Sequence, residues 1–119
     1  MNLKSILCLH LEPLICDLIG RIFETAEVTA LPARPEMRLP PTSGNFDLVI
    51  LEAMLADDDG LELCRRLRAA NPSTPILLVA SGAAITEDEI DRAGAQALVV
   101  KGPQFVRDIE FAVKNLFGN

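Results

Sequence analysis

Tryptophan and tyrosine are absent from the chain, and five phenylalanines supply all of its aromatic surface. The usual stacking platforms for single-stranded nucleic acid are therefore missing. One histidine, His10, and three cysteines with no CxxC pair leave too few ligands for a structural zinc. Cys8, Cys16 and Cys64 are odd in number and lie inside apolar segments, so they read as reduced core residues rather than a disulfide framework. No apolar run approaches the roughly 20 residues that a membrane-spanning helix requires. Basic residues are also scarce: eleven Lys and Arg stand against seventeen Asp and Glu, a net charge of −6. Phosphate backbones need a basic footprint, so nucleic-acid binding through this domain is not expected. The opening Met1-Asn2-Leu3-Lys4 runs straight into a strand-like stretch, without a signal peptide's apolar region and small-residue cleavage site. A cytoplasmic protein with no membrane contact is the expectation.

What the sequence has is a core. Half of its 119 residues are hydrophobic and 24% are charged, enough for one packed domain, residues 1–119, and too few for two. Ser5 to Leu11 is a short, almost continuous apolar run, the pattern of a strand buried on both faces. Phe46 to Leu51, Ile76 to Ala80 and Ala97 to Val100 read the same way, and Glu27 to Leu31 is a weaker strand. Between them, apolar residues recur at helical spacing. Leu14, Ile15, Leu18, Ile19, Ile22 and Phe23 form one stripe after Pro13, a residue suited to a first helical turn. A second helix carries Leu61, Leu63, Cys64 and Leu67, with Arg65, Arg66 and Arg68 expected to face solvent. Thr86 and Glu89 form a capping box for a third, which Gly94 ends. Phe105, Ile109, Ala112, Val113 and Leu116 line a last one. Four prolines between Pro32 and Pro41 argue against a long regular helix there. Apolar strands alternating with amphipathic helices predict an α/β domain: a doubly wound parallel sheet with helices on both faces.

Ligands of such sheets bind beyond the carboxyl ends of the strands. The residues expected there are His10, Leu11 and Glu12, then Glu52, then Ala80 and Ser81, and finally Lys101. Over almost the whole chain the sequence resembles the receiver domain of bacterial two-component response regulators. The likeness is carried by Phe46-Asp47-Leu48-Val49-Ile50-Leu51-Glu52, then Met54-Leu55 and Asp59-Gly60-Leu61-Glu62-Leu63. Pro75-Ile76-Leu77-Leu78-Val79, Ala93-Gly94-Ala95 and Leu98-Val99-Val100-Lys101 extend it, and Glu12-Pro13 also fits. The resemblance implies a flavodoxin-like sheet of five strands in the order 2-1-3-4-5, in which the helix between the second and third strands is short or irregular here.

Receiver domains carry two acids after the first strand to hold Mg²⁺, and an Asp after the third that accepts a phosphoryl group from a histidine kinase. A Thr or Ser after the fourth strand and a Lys after the fifth bind the phosphoryl oxygens. By this resemblance the acid pair falls on His10 and Leu11, the accepting Asp on Glu52, and the hydroxyl on Ala80, with Ser81 beside it. The Lys is kept as Lys101, and the aromatic of the last strand falls on Leu98. An imidazole and a leucine do not provide the oxygen ligands that Mg²⁺ demands. Phosphoryl transfer is largely metal-assisted charge stabilisation and positioning, so ordinary phosphorylation is expected to fail. The resemblance thus implies a degenerate receiver, not an enzyme and without a cofactor or metal, that works through protein contacts.

Glu52 leaves two readings open: a permanent ion pair with Lys101 that imitates activation, or a pair that merely balances charge. His10 is read as a structural residue, with pH sensing and metal ligation as sharper alternatives. Asp57, Asp58 and Asp59 read as a solvated turn. The face that the family builds from its fourth helix, fifth strand and fifth helix runs here over Thr86 to Ala93, Leu98 to Val100 and Phe105 to Leu116. It is the expected surface for homodimerisation, a partner protein or an attached effector domain. A second hypothesis keeps a residual switch, phosphorylated on Glu52 or Ser81 or responsive to another ligand. A third, a small enzyme or flavin carrier, lacks the Gly, Ser or Thr donors that cradle phosphates at a helix start, because Glu12-Pro13-Leu14 follows the first strand.

Overall fold

The structure is a computed structural model, and it describes residues 3–9, 11–31, 46–53, 60–70, 73–81 and 85–117. Among these, strands and helices alternate as β1 (Ser5–Leu9), α1 (Pro13–Ile22), β2 (Glu27–Leu31), β3 (Leu48–Glu52), α2 (Gly60–Ala70), β4 (Ile76–Ala80), α3 (Glu87–Ala93), β5 (Ala97–Val100) and α4 (Phe105–Leu116). The strands form a single parallel sheet in the order β2-β1-β3-β4-β5.

The three inner strands β1, β3 and β4 are the most apolar, and every residue of β3 and β4 is buried. Their side chains alternate between the two faces, as a two-residue period requires. Ile6, Cys8, Ile50, Leu77 and Val79 pack beneath α1 and α4, against Ile19, Phe23, Ile109 and Val113. Leu7, Leu9, Val49, Leu51 and Leu78 pack on the opposite face against Leu63, Cys64 and Leu67 of α2 and Ala93 of α3. Neither face of these inner strands is left to water, which is why they read as unbroken apolar runs.

Local chemistry fixes the ends. The Oγ1 of Thr86 accepts from the Glu89 N–H at 3.2 Å, and the Glu89 Oε1 accepts from the Thr86 N–H at 3.1 Å, so the expected capping box is formed. Gly94 ends α3 at φ 85°, a left-handed conformation that glycine alone adopts without strain. Gly60 opens α2 so close to the end of β3 that an added Cβ would lie 2.4 Å from the Ala53 carbonyl oxygen.

Some expectations are corrected. β3 begins at Leu48, because Asp47 turns its carboxylate to the N–H groups of Lys4 (2.8 Å) and Ser5 (3.2 Å) and ties the entry of β3 to that of β1. Leu14 is not on the buried stripe of α1: it is 68% exposed, on the first turn beside Pro13. Arg68 does not simply face solvent. Its Nε donates to the Gly94 carbonyl at 2.9 Å and its Nη2 to Gln96 Oε1 at 2.9 Å, and the same Gln96 oxygen accepts from the Ile76 N–H at 2.7 Å. Arg68 and Gln96 therefore join α2, the α3–β5 turn and the start of β4. The proline-rich stretch, Met54-Leu55 and the Asp57–Asp59 turn lie outside the described residues.

Candidate functional site

Parallel strands bring all their carboxyl ends to one edge, and three of those ends supply the charged side chains of this site. Glu52 is the last residue of β3. Neighbouring ladder bonds hold its backbone, with the Ala53 N–H donating to the Val79 carbonyl at 2.8 Å. Lys101 follows β5 directly, and its N–H donates to the Ala80 carbonyl at 2.8 Å. Glu12 caps the start of α1 with extended backbone and uses its carbonyl, not its side chain, to accept the Cys16 N–H at 3.1 Å. The Glu12 carboxylate is thereby left to reach across the sheet edge.

The side chains converge on one nitrogen. Lys101 Nζ donates to Glu52 Oε1 in a short contact, and to Glu12 Oε1 at 3.2 Å. The three side chains differ in exposure: 8% for Glu52, 17% for Lys101 and 68% for Glu12. Glu52 is the one charged residue in the core among the described residues. Burial, the largest single influence, pulls the Lys101 pKa down, but hydrogen bonds and charge from Glu52 and Glu12 together outweigh it, and the ammonium is held above its ordinary value. The pair is charge-matched, and the extra carboxylate sits at the solvent side.

The other expected site residues surround this cluster unevenly. Ala80 is fully buried and offers only a methyl group, whereas Ser81 beside it is exposed. Leu11 is buried in the core beneath α1 and α4. Leu98 is half-buried and packs on the other face, with the α2 and α3 cluster. His10 lies outside the described residues. Burial pushes the Cys8 thiol up and holds the Cys64 thiol at about 11, so neither supplies a thiolate nucleophile near neutral pH.

The arrangement does not suit the hard divalent ion that the resemblance implies. Leu11 is a hydrocarbon in the core, and the carboxylates of Glu12 and Glu52 are already bound to the Lys101 ammonium. Among the described residues there is no group of three or more His, Cys, Asp or Glu side chains placed to hold a metal.

The contact face expected from the sequence carries, at the β5 edge, one detail not singled out there, the exposed Phe111. A shallow groove of about 620 Å³ runs between β5 and α4, lined in part by Leu98, Val100, Asp108, Phe111 and Leu116. Phe111 is 66% exposed on its rim. The signal was available: Phe111 is a large apolar residue off the stripe formed by Phe105, Ile109, Ala112, Val113 and Leu116.

A parallel five-stranded sheet in the order 2-1-3-4-5, with a lysine reaching a carboxylate across its carboxyl edge, is the architecture that the resemblance to receiver domains implies. Comparison with known proteins agrees. Residues 6–109 match the family described as response regulator receiver domain, and the chain belongs to that family. Among curated relatives it is similar to the transcriptional regulatory protein ResD of Bacillus subtilis, 33% identical over 72 residues, which are 60% of this chain and 30% of ResD. It is also similar to the response regulator ArlR of Staphylococcus haemolyticus, 51% identical over 37 residues, 31% of this chain and 16% of ArlR. These matches thus span less than a third of the relatives' length. Among solved structures, a CheY-like receiver domain protein of Methanospirillum hungatei superposes with a TM-score of 0.79 at 26% identity, covering 98% of this chain and 95% of that one. TrrA of Thermotoga maritima, solved in complex with Mg²⁺–BeF, superposes at 0.77 with 30% identity, covering 95% and 98%. The domain is thus a receiver of two-component signal transduction, and no helix among its described residues is long and apolar enough to cross a membrane.

Proposed function

We propose that this is an atypical, degenerate receiver: a cytoplasmic module that acts by protein–protein contact, without phosphorylation and without catalysing a reaction of its own. The observation that carries the reading is the ion pair of Glu52 and Lys101. At the position where the resemblance puts the phospho-accepting Asp, the side chain is longer, buried, and already closed on the lysine that would bind the phosphoryl oxygens. Ala80 supplies no hydroxyl to hold a phosphoryl oxygen, and Leu11 supplies no carboxylate to hold a metal. TrrA, which shares the fold, binds Mg²⁺–BeF; the substitutions at Leu11, Glu52 and Ala80 argue that this chain does not.

The contact surface we assign is the face of α3, β5 and α4, serving a homodimer, a partner protein or an attached effector domain. Exposed Phe111 and Val100 and the groove between β5 and α4 support it. Neither nucleic acid nor membrane is a partner of this domain in this reading. The second reading, a residual switch, is favoured by one feature: Ser81 is exposed beside Ala80, at the edge of the same cluster.

Intact-mass measurement after incubation with Mg²⁺ and acetyl phosphate separates the two. No phosphoryl adduct is expected. An adduct mapped to Glu52 or Ser81 would establish the switch and refute the phosphorylation-independent reading.

A further inference from the structure

The cluster at the carboxyl edge is more than a lysine touching an acid. One ammonium joins side chains from the ends of three strands: Glu12 beyond β1, Glu52 at the end of β3, and Lys101 beyond β5. Carboxylates drawn together on one cation are the usual setting of a metal ion. Mg²⁺ itself needs only one or two protein carboxylates, because it keeps most of its waters. The donor set here is therefore not chemically inadequate in its two acids; a cation already sits between them.

We propose that Lys101 is the built-in cation of this domain, its ammonium bridging Glu12 and Glu52 and excluding a divalent ion from them. The inference deepens, and rests on, the metal-free reading of the pocket given above. A tethered ammonium loses no translational freedom on binding, so it competes with millimolar free ions as though present at high local concentration. Its backbone is fixed by the N–H bond to the Ala80 carbonyl. The buried carboxylate of Glu52 gives it a strong, poorly screened partner, and exposed Glu12 provides a second at 3.2 Å. Leu11, packed in the core, contributes no further acid that would tip the balance towards a doubly charged ion.

The domain's conformation should then be indifferent to chelators and divalent ions, and removing the ammonium should create a cation site. The test is titration of ¹⁵N-labelled protein with MgCl₂ and then CaCl₂, for the wild type, Lys101→Met, Lys101→Gln and the double variant Glu12→Gln/Lys101→Met. The wild type is expected to show no saturable shift of residues near Glu52. Lys101→Met and Lys101→Gln should each gain saturable binding, with a dissociation constant of order 10⁻⁴–10⁻³ M, the range of weak calcium sites. The double variant should lose that gain. Should the single variants be unfolded alone, folding on addition of Ca²⁺ supports the proposal, and failure to fold with Ca²⁺ overturns it. Lack of binding by both folded single variants overturns the built-in cation while leaving the metal-free reading of the wild type intact. Saturable Mg²⁺ binding by the wild type overturns both.

Discussion

Replacing Lys101 with methionine removes the ammonium and keeps most of the side-chain volume. The structural cost follows from what is left behind. Glu52, with only 8% of its side chain exposed, keeps its carboxylate in the core without the cation that Lys101 supplied. Breaking a buried pair in this one-sided way costs about 3–5 kcal/mol. Lys101 retains 17% exposure, so the lower end, about 3 kcal/mol, is the expected loss. The Glu12 arm adds little, because that side chain is 68% exposed and such pairs contribute about 0–1 kcal/mol. Three variants separate these contributions: Lys101→Met, Glu12→Gln, and Glu52→Leu/Lys101→Met, in which both charges go. The double variant should return to within about 1 kcal/mol of the wild type, since a buried ion pair is commonly replaceable by apolar residues. With no Trp or Tyr to report on unfolding, far-ultraviolet circular dichroism in urea is the suitable assay. At a typical slope of about 1–3 kcal/mol per molar urea, the loss moves the midpoint by roughly 1 M or more. A Lys101→Met variant within about 0.5 kcal/mol of the wild type would refute the reasoning, and so would a double variant no more stable than Lys101→Met.

The pair also fixes the sign of an alkaline effect. Lys101 has a folded-state pKa above its ordinary 10.5, so its contribution is complete below about 10.5 and disappears as pH rises through the folded value. The stability gap between wild type and Lys101→Met should narrow there; Cys64, which titrates at about 11, is common to both proteins and cancels in the difference. Gly60→Ala should cost about 2 kcal/mol or more, because its Cβ would lie 2.4 and 2.5 Å from the carbonyl oxygens of Ala53 and Glu52, backbone atoms with little room to move. Thermal unfolding of that variant would show it as a lower midpoint. Thr86→Ala should lose about 1 kcal/mol through the broken capping box, seen as an earlier urea midpoint.

The layered fold was legible because burial on both faces writes itself into sequence as apolar runs such as Phe46–Leu51 and Ile76–Ala80. Even the weak strand Glu27–Leu31 was placed correctly, since its register is set by pairing with β1. Helix ends were readable where chemistry is local, at Thr86, Glu89 and Gly94. Contacts between distant residues were harder to foresee. Arg68 looks like any solvated arginine until α2 is set beside Gly94 and Gln96, and Asp47 looks like part of a strand until Lys4 and Ser5 arrive beside it. For the candidate site, position in the sheet pointed to Glu12, Glu52 and Lys101 together with His10, Leu11, Ala80 and Ser81, without ranking them. That one nitrogen bridges both acids depends on side-chain reach across three strands, which no spacing along the chain encodes. Leu14 failed for a simpler reason: helical periodicity assigns a residue to a stripe, but does not say that the stripe is buried as early as the first turn, where Leu14 is exposed.

The central claim is that the pocket at the carboxyl edge is already closed on its own ion pair. An amide ¹H–¹⁵N titration with Mg²⁺, then beryllium fluoride, then acetyl phosphate tests it most directly. Resonances near Glu52, Ala80 and Lys101 are expected to stay where they are through all three additions. A saturable shift of those resonances would contradict it and would make this domain a working switch.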